Sequence, residues 1–159
     1  MTDLVIIGAG GFARETASAA RNVLGFLDDN PAIHGEKRAG YPVLGGLDLV
    51  AELPDAMFVI CAGSPRDYGV RERLVARLGL PVERYATVIH PSVHIGHGCT
   101  VGPGSVLLPG VSLTVDVTVG AHVAVMPQVV LTHDDVIGDY AIRGMVRNGL
   151  SDGPSRSPG

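Results

Sequence analysis

The sequence predicts an α/β + β chain. A small Rossmann-like parallel-sheet domain fills residues 1–85, and a left-handed parallel β-helix of about three coils follows over residues 86–142. Three observations predict it. Nine apolar residues, Ile89, Ile95, Val101, Leu107, Leu113, Val119, Val125, Leu131 and Ile137, fall on a strict six-residue ladder. Four places past the first seven rungs a small or β-branched residue recurs: Val93, Cys99, Ser105, Val111, Val117, Val123 and Val129. The first half carries instead an apolar run, a glycine turn and a second apolar run closed by acids. No α-helix has a six-residue period. A fixed period means stacked units, each burying its apolar residue against the next, here three short faces to a turn.

The elements follow in order. Leu4–Ile7 reads as a buried strand that ends in Gly8-Ala9-Gly10-Gly11-Phe12-Ala13, a G-x-G-x-x-A turn opening a helix over Phe12–Arg21. That helix is short for a crossover between parallel strands. Leu24–Leu27 is a second strand, closed by Asp28-Asp29. In a βαβ unit the glycines let the backbone approach a pyrophosphate at a helix N-terminus, and an acid at the end of the second strand can bond a ribose hydroxyl. Met57–Ala62 is a further strand ending in Gly63, and a helix carrying Arg71, Arg73 and Arg77 follows. Arg84–Ala86 joins this unit to the coils with little slack. Gly102, Gly120 and Gly138 stand eighteen residues apart, one turn, and are expected where the backbone bends tightly. The coils run from Ile89 to about Ile142. The next two rungs would fall on Arg143 and Gly149, so residues 143–159 read as a divergent, disordered tail.

Composition narrows the function. The chain has 159 residues, a net charge of -4 and Lys37 as its one lysine, which argues against nucleic acid and anionic membranes as partners. It is 46% hydrophobic but 4% aromatic, with no Trp, which suits a thin core of small aliphatics. No apolar run approaches a membrane span or a signal-peptide core. Cys61 and Cys99 make no disulfide framework, so a cytoplasmic protein with reduced thiols is expected.

Of six histidines, His34 lies in a loop without an evident partner and His90 reads as a turn residue before Pro91. His94 and His97 lack metal-ligand spacing, and no metal is expected. His122 reads as an exposed face position. His133 differs. It sits in Thr132-His133-Asp134-Asp135, where Asp135 takes a corner that the other repeats fill with Val, Cys or Ser. A repeat that breaks its own inward rule marks a candidate site, and either acid could orient the imidazole as a general base.

Four segments resemble one family closely: Ile7-Gly8-Ala9-Gly10-Gly11-Phe12-Ala13-Arg14-Glu15, Gly25-Phe26-Leu27-Asp28-Asp29-Asn30, Ala86-Thr87-Val88-Ile89-His90-Pro91-Ser92 and Thr132-His133-Asp134-Asp135-Val136-Ile137-Gly138-Asp139-Tyr140. They resemble the sialic acid O-acetyltransferases and bacillosamine-type sugar N-acetyltransferases, which are hexapeptide-repeat acyltransferases. The resemblance implies a nucleotide-sugar-binding N-terminal domain, a homotrimer, and acetyl-CoA as co-substrate lying along the β-helix between subunits. It implies a nucleotide-sugar or sialic acid as acceptor, at an amine or a hydroxyl. It places the catalytic histidine and its acid at His133 and Asp134, the nucleotide-contacting acids at Asp28 and Asp29, the glycine turn at Gly8, Gly10 and Gly11, and a strand-end glycine at Gly63. Where relatives carry a second histidine or hydroxyl residue this chain has Ile142. The position matching their thioester-binding amide is Ser151, so the chain reads as a C-terminally shortened member.

Two rival readings stand beside the acetyltransferase. One is a non-catalytic nucleotide-sugar binder or inactive shortened member. The other is a nicotinamide-dependent oxidoreductase, disfavoured because a second mononucleotide half is missing.

Overall fold

The computed structural model describes residues 2–63 and 67–144. Most of the expected tail, residues 145–159, lies outside the described residues. The first half is built on β1 (Leu4–Ile7), α1 (Gly11–Ala19), β2 (Val23–Leu27), β3 (Lys37–Arg38), β4 (Tyr41–Gly45), β5 (Met57–Ile60) and α2 (Val70–Leu78). The sheet order is β3-β4-β2-β1-β5. β4, β2, β1 and β5 run parallel, and β3 adds an antiparallel edge, so the sheet is mixed rather than wholly parallel.

The sheet is covered on both faces, which is why β1 reads as an unbroken apolar run. Leu4, Ile6, Phe26 and Val59 pack against Ala13 and Ala17 of α1 and against Val88, Val106 and Leu108 beyond it. Val5, Ile7, Leu27, Phe58 and Ile60 pack on the other face, under Leu47, Val50 and the apolar side of α2. The small residues of α1 bring it close to the sheet. Gly79 takes the left-handed conformation that ends α2, with φ 57°.

The second half is a left-handed parallel β-helix of ten two-residue strands: β6 (Val88–Ile89), β7 (His94–Ile95), β8 (Thr100–Val101), β9 (Val106–Leu107), β10 (Ser112–Leu113), β11 (Thr118–Val119), β12 (Ala124–Val125), β13 (Val130–Leu131), β14 (Val136–Ile137) and β15 (Ile142–Arg143). They form three parallel sheets, β13-β10-β7, β14-β11-β8 and β15-β12-β9-β6. Every pairing joins residues eighteen apart, such as Leu113 to Ile95 and Leu131. Leu107, Leu113, Val119, Val125, Leu131 and Ile137 line the axis with Val111, Val117 and Val123. The first rungs differ from expectation: Ile89 and Ile95 are 36% and 42% exposed, because no coil lies beneath them. Arg143, where the ladder expects an apolar residue, still pairs in register with Val125.

The tight bends fall elsewhere than expected. Left-handed φ recurs every six residues at Gly98, Gly104, Gly110, Asp116, His122, Gln128, Asp134 and Tyr140. Gly102, Gly120 and Gly138 have no such φ. Gly102 and Gly120 are bare because the next coil presses on them: a Cβ on Gly102 would lie 2.5 Å from the Gly120 carbonyl oxygen, whereas one on Gly138 would meet nothing within 4 Å. Gly102→Ala is therefore expected to destabilise the chain by about 1–3 kcal/mol, and Gly138→Ala by less than about 0.5 kcal/mol. Urea unfolding checks the pair; equal effects would contradict the assignment.

Candidate functional site

The parallel strands point their carboxyl ends at one edge, where ligands bind in such sheets. Two adjoining cavities open there. One, about 200 Å³, is lined by Gly8–Phe12, Asp28 and Cys61–Gly63. The other, about 170 Å³, is lined by Ile7, Gly8, Leu27, Asp28, Asp29, Leu47, Ala62 and Leu74. Two larger clefts, of about 350 and 410 Å³, lie away from the glycine turn and from His133.

Gly8 is required by its surroundings. Its φ is +104°, and a Cβ there would sit 2.8 Å from the Cys61 carbonyl oxygen. Gly10 caps α1 with no side-chain hydrogen bond, and the first turn carries no acid. The N–H groups of that turn and the positive end of the helix dipole therefore face the cavity with no acid in the first turn to compensate them. Gly63, three residues past the end of β5, also lines this cavity.

The two acids divide their roles. Asp28 lines both cavities, and its Oδ1 accepts from the Asn30 N–H at 2.9 Å. Asp29 is committed elsewhere. It accepts from the Leu47 N–H at 2.9 Å and from Arg77 at 2.7 Å, and these bonds, the backbone one first, hold its carboxyl below the usual range. Asp29 thus ties β2 to α2. His34, without an evident partner in sequence, donates Nε2–H to the Asp28 carbonyl at 2.6 Å. Arg38 Nη1 reaches the Ala9 carbonyl of the glycine turn at 3.2 Å. Burial pushes the Cys61 thiol up to about 12.

His133 and Asp134 stand on a corner between β13 and β14, both 76% exposed at the side chain. Asp134 takes the left-handed corner position, φ +62°. Its Oδ2 lies 3.0 Å from His133 Nδ1. A carboxylate only accepts, so Nδ1 carries the hydrogen, and in the neutral ring the lone pair then falls on Nε2, the arrangement a general base needs. Neither residue lines the cavities at the sheet edge. The chain thus gathers Gly8, Gly10, Gly11, Asp28 and Gly63 around one opening, sets Asp29 at its rim, and leaves His133 and Asp134 on a separate corner. His90 is a turn residue as expected, its Nδ1 accepting from the Ser92 N–H at 3.1 Å.

His122 is not exposed. It is 6% accessible, because Tyr85 stands against it from the segment that leaves the sheet. Sequence reasoning also missed Arg71, which is 4% exposed on α2. The signal available for His122 was the glycine one coil below it, Gly104, where a Cβ would overlap the imidazole.

Among the described residues no group of three or more His, Cys, Asp or Glu could hold a metal ion, and no helix is long and apolar enough to cross a membrane.

Residues 3–78 match the PglD N-terminal domain family. The chain is 31% identical over 115 residues to UDP-N-acetylbacillosamine N-acetyltransferase of Bacillus subtilis (strain 168), a match over 68% of this chain and 52% of that protein. It therefore spans about half the length of that curated relative. Among solved structures, WeeI from Acinetobacter baumannii AYE is 27% identical with a TM-score of 0.72, over 89% of this chain and 69% of that one. PerB from Caulobacter crescentus, crystallised with CoA and GDP-perosamine, is 23% identical with a TM-score of 0.75, over 89% and 68% of the two chains, and shows the shared fold.

Proposed function

We propose that the chain is a PglD-type hexapeptide-repeat sugar N-acetyltransferase and moves an acetyl group from acetyl-CoA to the amine of a nucleotide-linked sugar, a reading supported by the match of residues 3–78 and by the 31% identical relative. The observation that carries this reading is the His133–Asp134 pair, which leaves a basic nitrogen facing outward from the coil. Residues 1–85 hold the nucleotide at Gly8, Gly10, Gly11 and Gly63, with Asp28 on the ribose or base. Residues 86–142 carry the transfer.

His133 Nε2 takes a proton from the amine as its nitrogen attacks the thioester carbonyl. The C–S bond breaks, the acetyl group stays on nitrogen, and the proton passes on to the CoA thiolate. Asp134 holds the imidazole and stabilises its charged form. Because His133 lines neither cavity, the sugar must reach from one site to another, and a homotrimer in which one subunit's corner faces its neighbour's cavity supplies that path. Acetyl-CoA lies along the β-helix in the same reading. A free amine attacks without the stronger activation that a hydroxyl needs, so an exposed histidine with one acid suits N-acetylation.

Asp28→Ala is expected to weaken nucleotide-sugar binding by at least about 1 kcal/mol, the scale of a charge-assisted hydrogen bond. Asp29→Ala is expected to leave affinity nearly unchanged and to cost about 1–2 kcal/mol of stability, since it loses the hydrogen bond from the Leu47 N–H as well as a half-exposed ion pair. Calorimetric titration with UDP- and GDP-linked amino sugars distinguishes the two, and equal losses of affinity would count against this division.

The non-catalytic reading is supported by the absence of His133 from the lining of both cavities. It requires nucleotide-sugar affinity without affinity for acetyl-CoA, and the same calorimetry with acetyl-CoA decides between them.

A further inference from the structure

Outside the sheet-edge cavities and the His133 corner, a cluster of polar side chains is buried where α2 meets the coils. Arg71 Nη2 donates to the Tyr140 carbonyl, and to that of Ala141 at 3.4 Å. Tyr85 stands edge-on to the His122 ring, centroids 4.7 Å apart at 87°. Tyr140 stacks on the other side of His122 at 5.4 Å and 7°. Two side-chain atoms here, His122 Nδ1 and the Tyr85 hydroxyl, are buried without a hydrogen-bond partner.

Packing alone does not call for these residues. Apolar side chains would fill the same space without leaving donors and acceptors unpaired, and a buried guanidinium held by carbonyl oxygens is costly. What the cluster does is join two sites. Arg71 lies on the helix that follows β5, whose end at Cys61–Gly63 lines the glycine-turn cavity. The Tyr140–Ala141 corner lies one strand, β14, beyond the His133–Asp134 corner. β14 is two residues long and its Ile137 is buried, so the two corners are joined by one short, anchored strand.

We propose that Arg71 and His122 are positioning residues: they lock the coil that carries His133 to the nucleotide-binding sheet, and the lock holds only while His122 is neutral. The proposal rests on the reading given above, since that reading makes the two sites share a substrate. The groups facing His122 are Arg71 from α2, Tyr85 from the connecting segment, and Tyr140 with Asp139 from the next coil. Protonation would place a second cation beside Arg71 in a buried joint. Burial first, then Arg71, lowers the His122 pKa from its ordinary 6.5, with Asp139 opposing. A group lowered in this way contributes stability that is whole above its unfolded value and is lost as the pH falls through the folded one.

The test is NMR of the full chain from neutral to mildly acid pH, following the His122 imidazole and the Tyr85 ring, in wild type, His122→Asn and Arg71→Met. Asn tolerates the left-handed φ at this position and does not titrate. The expected result is a His122 midpoint below 6.5, a Tyr85 change on the same midpoint that His122→Asn abolishes, and an upward shift of that midpoint in Arg71→Met. In steady-state transfer every variant keeps the acid limb that a general base at His133 imposes, and wild type loses a further fraction of kcat along the His122 midpoint that His122→Asn does not lose, while KM for the nucleotide sugar holds. A His122 that titrates at its ordinary value, a Tyr85 change that persists in His122→Asn, or kcat profiles that superimpose in the two proteins overturns the proposal. A chain that shows the coupled titration and binds nucleotide, yet transfers no acetyl group, refutes the transferase reading and leaves the lock supported.

Discussion

His133→Ala is expected to lower kcat by about 10²–10⁴-fold while leaving nucleotide-sugar affinity unchanged, because a general base acts in the transition state and not in docking. The separation of the sites sharpens the expectation: His133 lines neither cavity at the sheet edge, so its truncation removes nothing from the nucleotide's surroundings. His133→Asn is expected to lose nearly as much, since it keeps polarity without basicity. Asp134→Asn is expected to lose less. It removes charge and part of the orientation, but the corner geometry and the imidazole remain. Steady-state kinetics paired with calorimetry checks the series, and full turnover by His133→Ala would exclude the catalytic role.

Leu113→Ala is expected to destabilise the chain by about 2–5 kcal/mol, the cost of emptying a fully buried leucine site. Leu113 is 0% exposed and sits at the middle rung of its face, between Ile95 and Leu131. The coils above and below hold the walls of that cavity apart, so the site cannot collapse. Ile95→Ala, one coil down and 42% exposed, is expected to cost less than about 1 kcal/mol. Chemical denaturation of both variants checks the gradient along the axis. Equal losses would mean that the rungs do not stack as a single core.

The architecture was legible because a repeat states its period many times over. The ladder from Leu107 to Ile137 needed no knowledge of distant contacts, since each rung meets the residue eighteen before it, and Leu107 to Val125 meet the one eighteen after it as well. What the period could not show is what lies against a coil from outside. His122 read as exposed because its repeat position is a corner, yet Tyr85 and Tyr140 cover it. Ile89 and Ile95 read as buried because they share the rungs' pattern, yet the first coil has nothing beneath it. The glycines at 102 and 120 were found for the wrong reason: they yield to the next coil's backbone and do not turn the chain.

At the sheet edge the glycine turn and Asp28 were readable as local sequence. Asp29 was not, because its role depends on Arg77, 48 residues away, and on the Leu47 amide. Arg71 was missed for the same reason, since its partners lie 69 and 70 residues further on.

The account stands on one claim, that this chain carries a nucleotide-sugar site and a working acetyl-transfer base. The direct measurement is incubation of the full chain with acetyl-CoA and a nucleotide-linked amino sugar, following released CoA thiol and acetylated product by mass spectrometry. The account predicts thiol and N-acetylated nucleotide sugar in equal amounts, both lost in His133→Ala. Nucleotide-sugar binding with no product from the wild-type chain would contradict it.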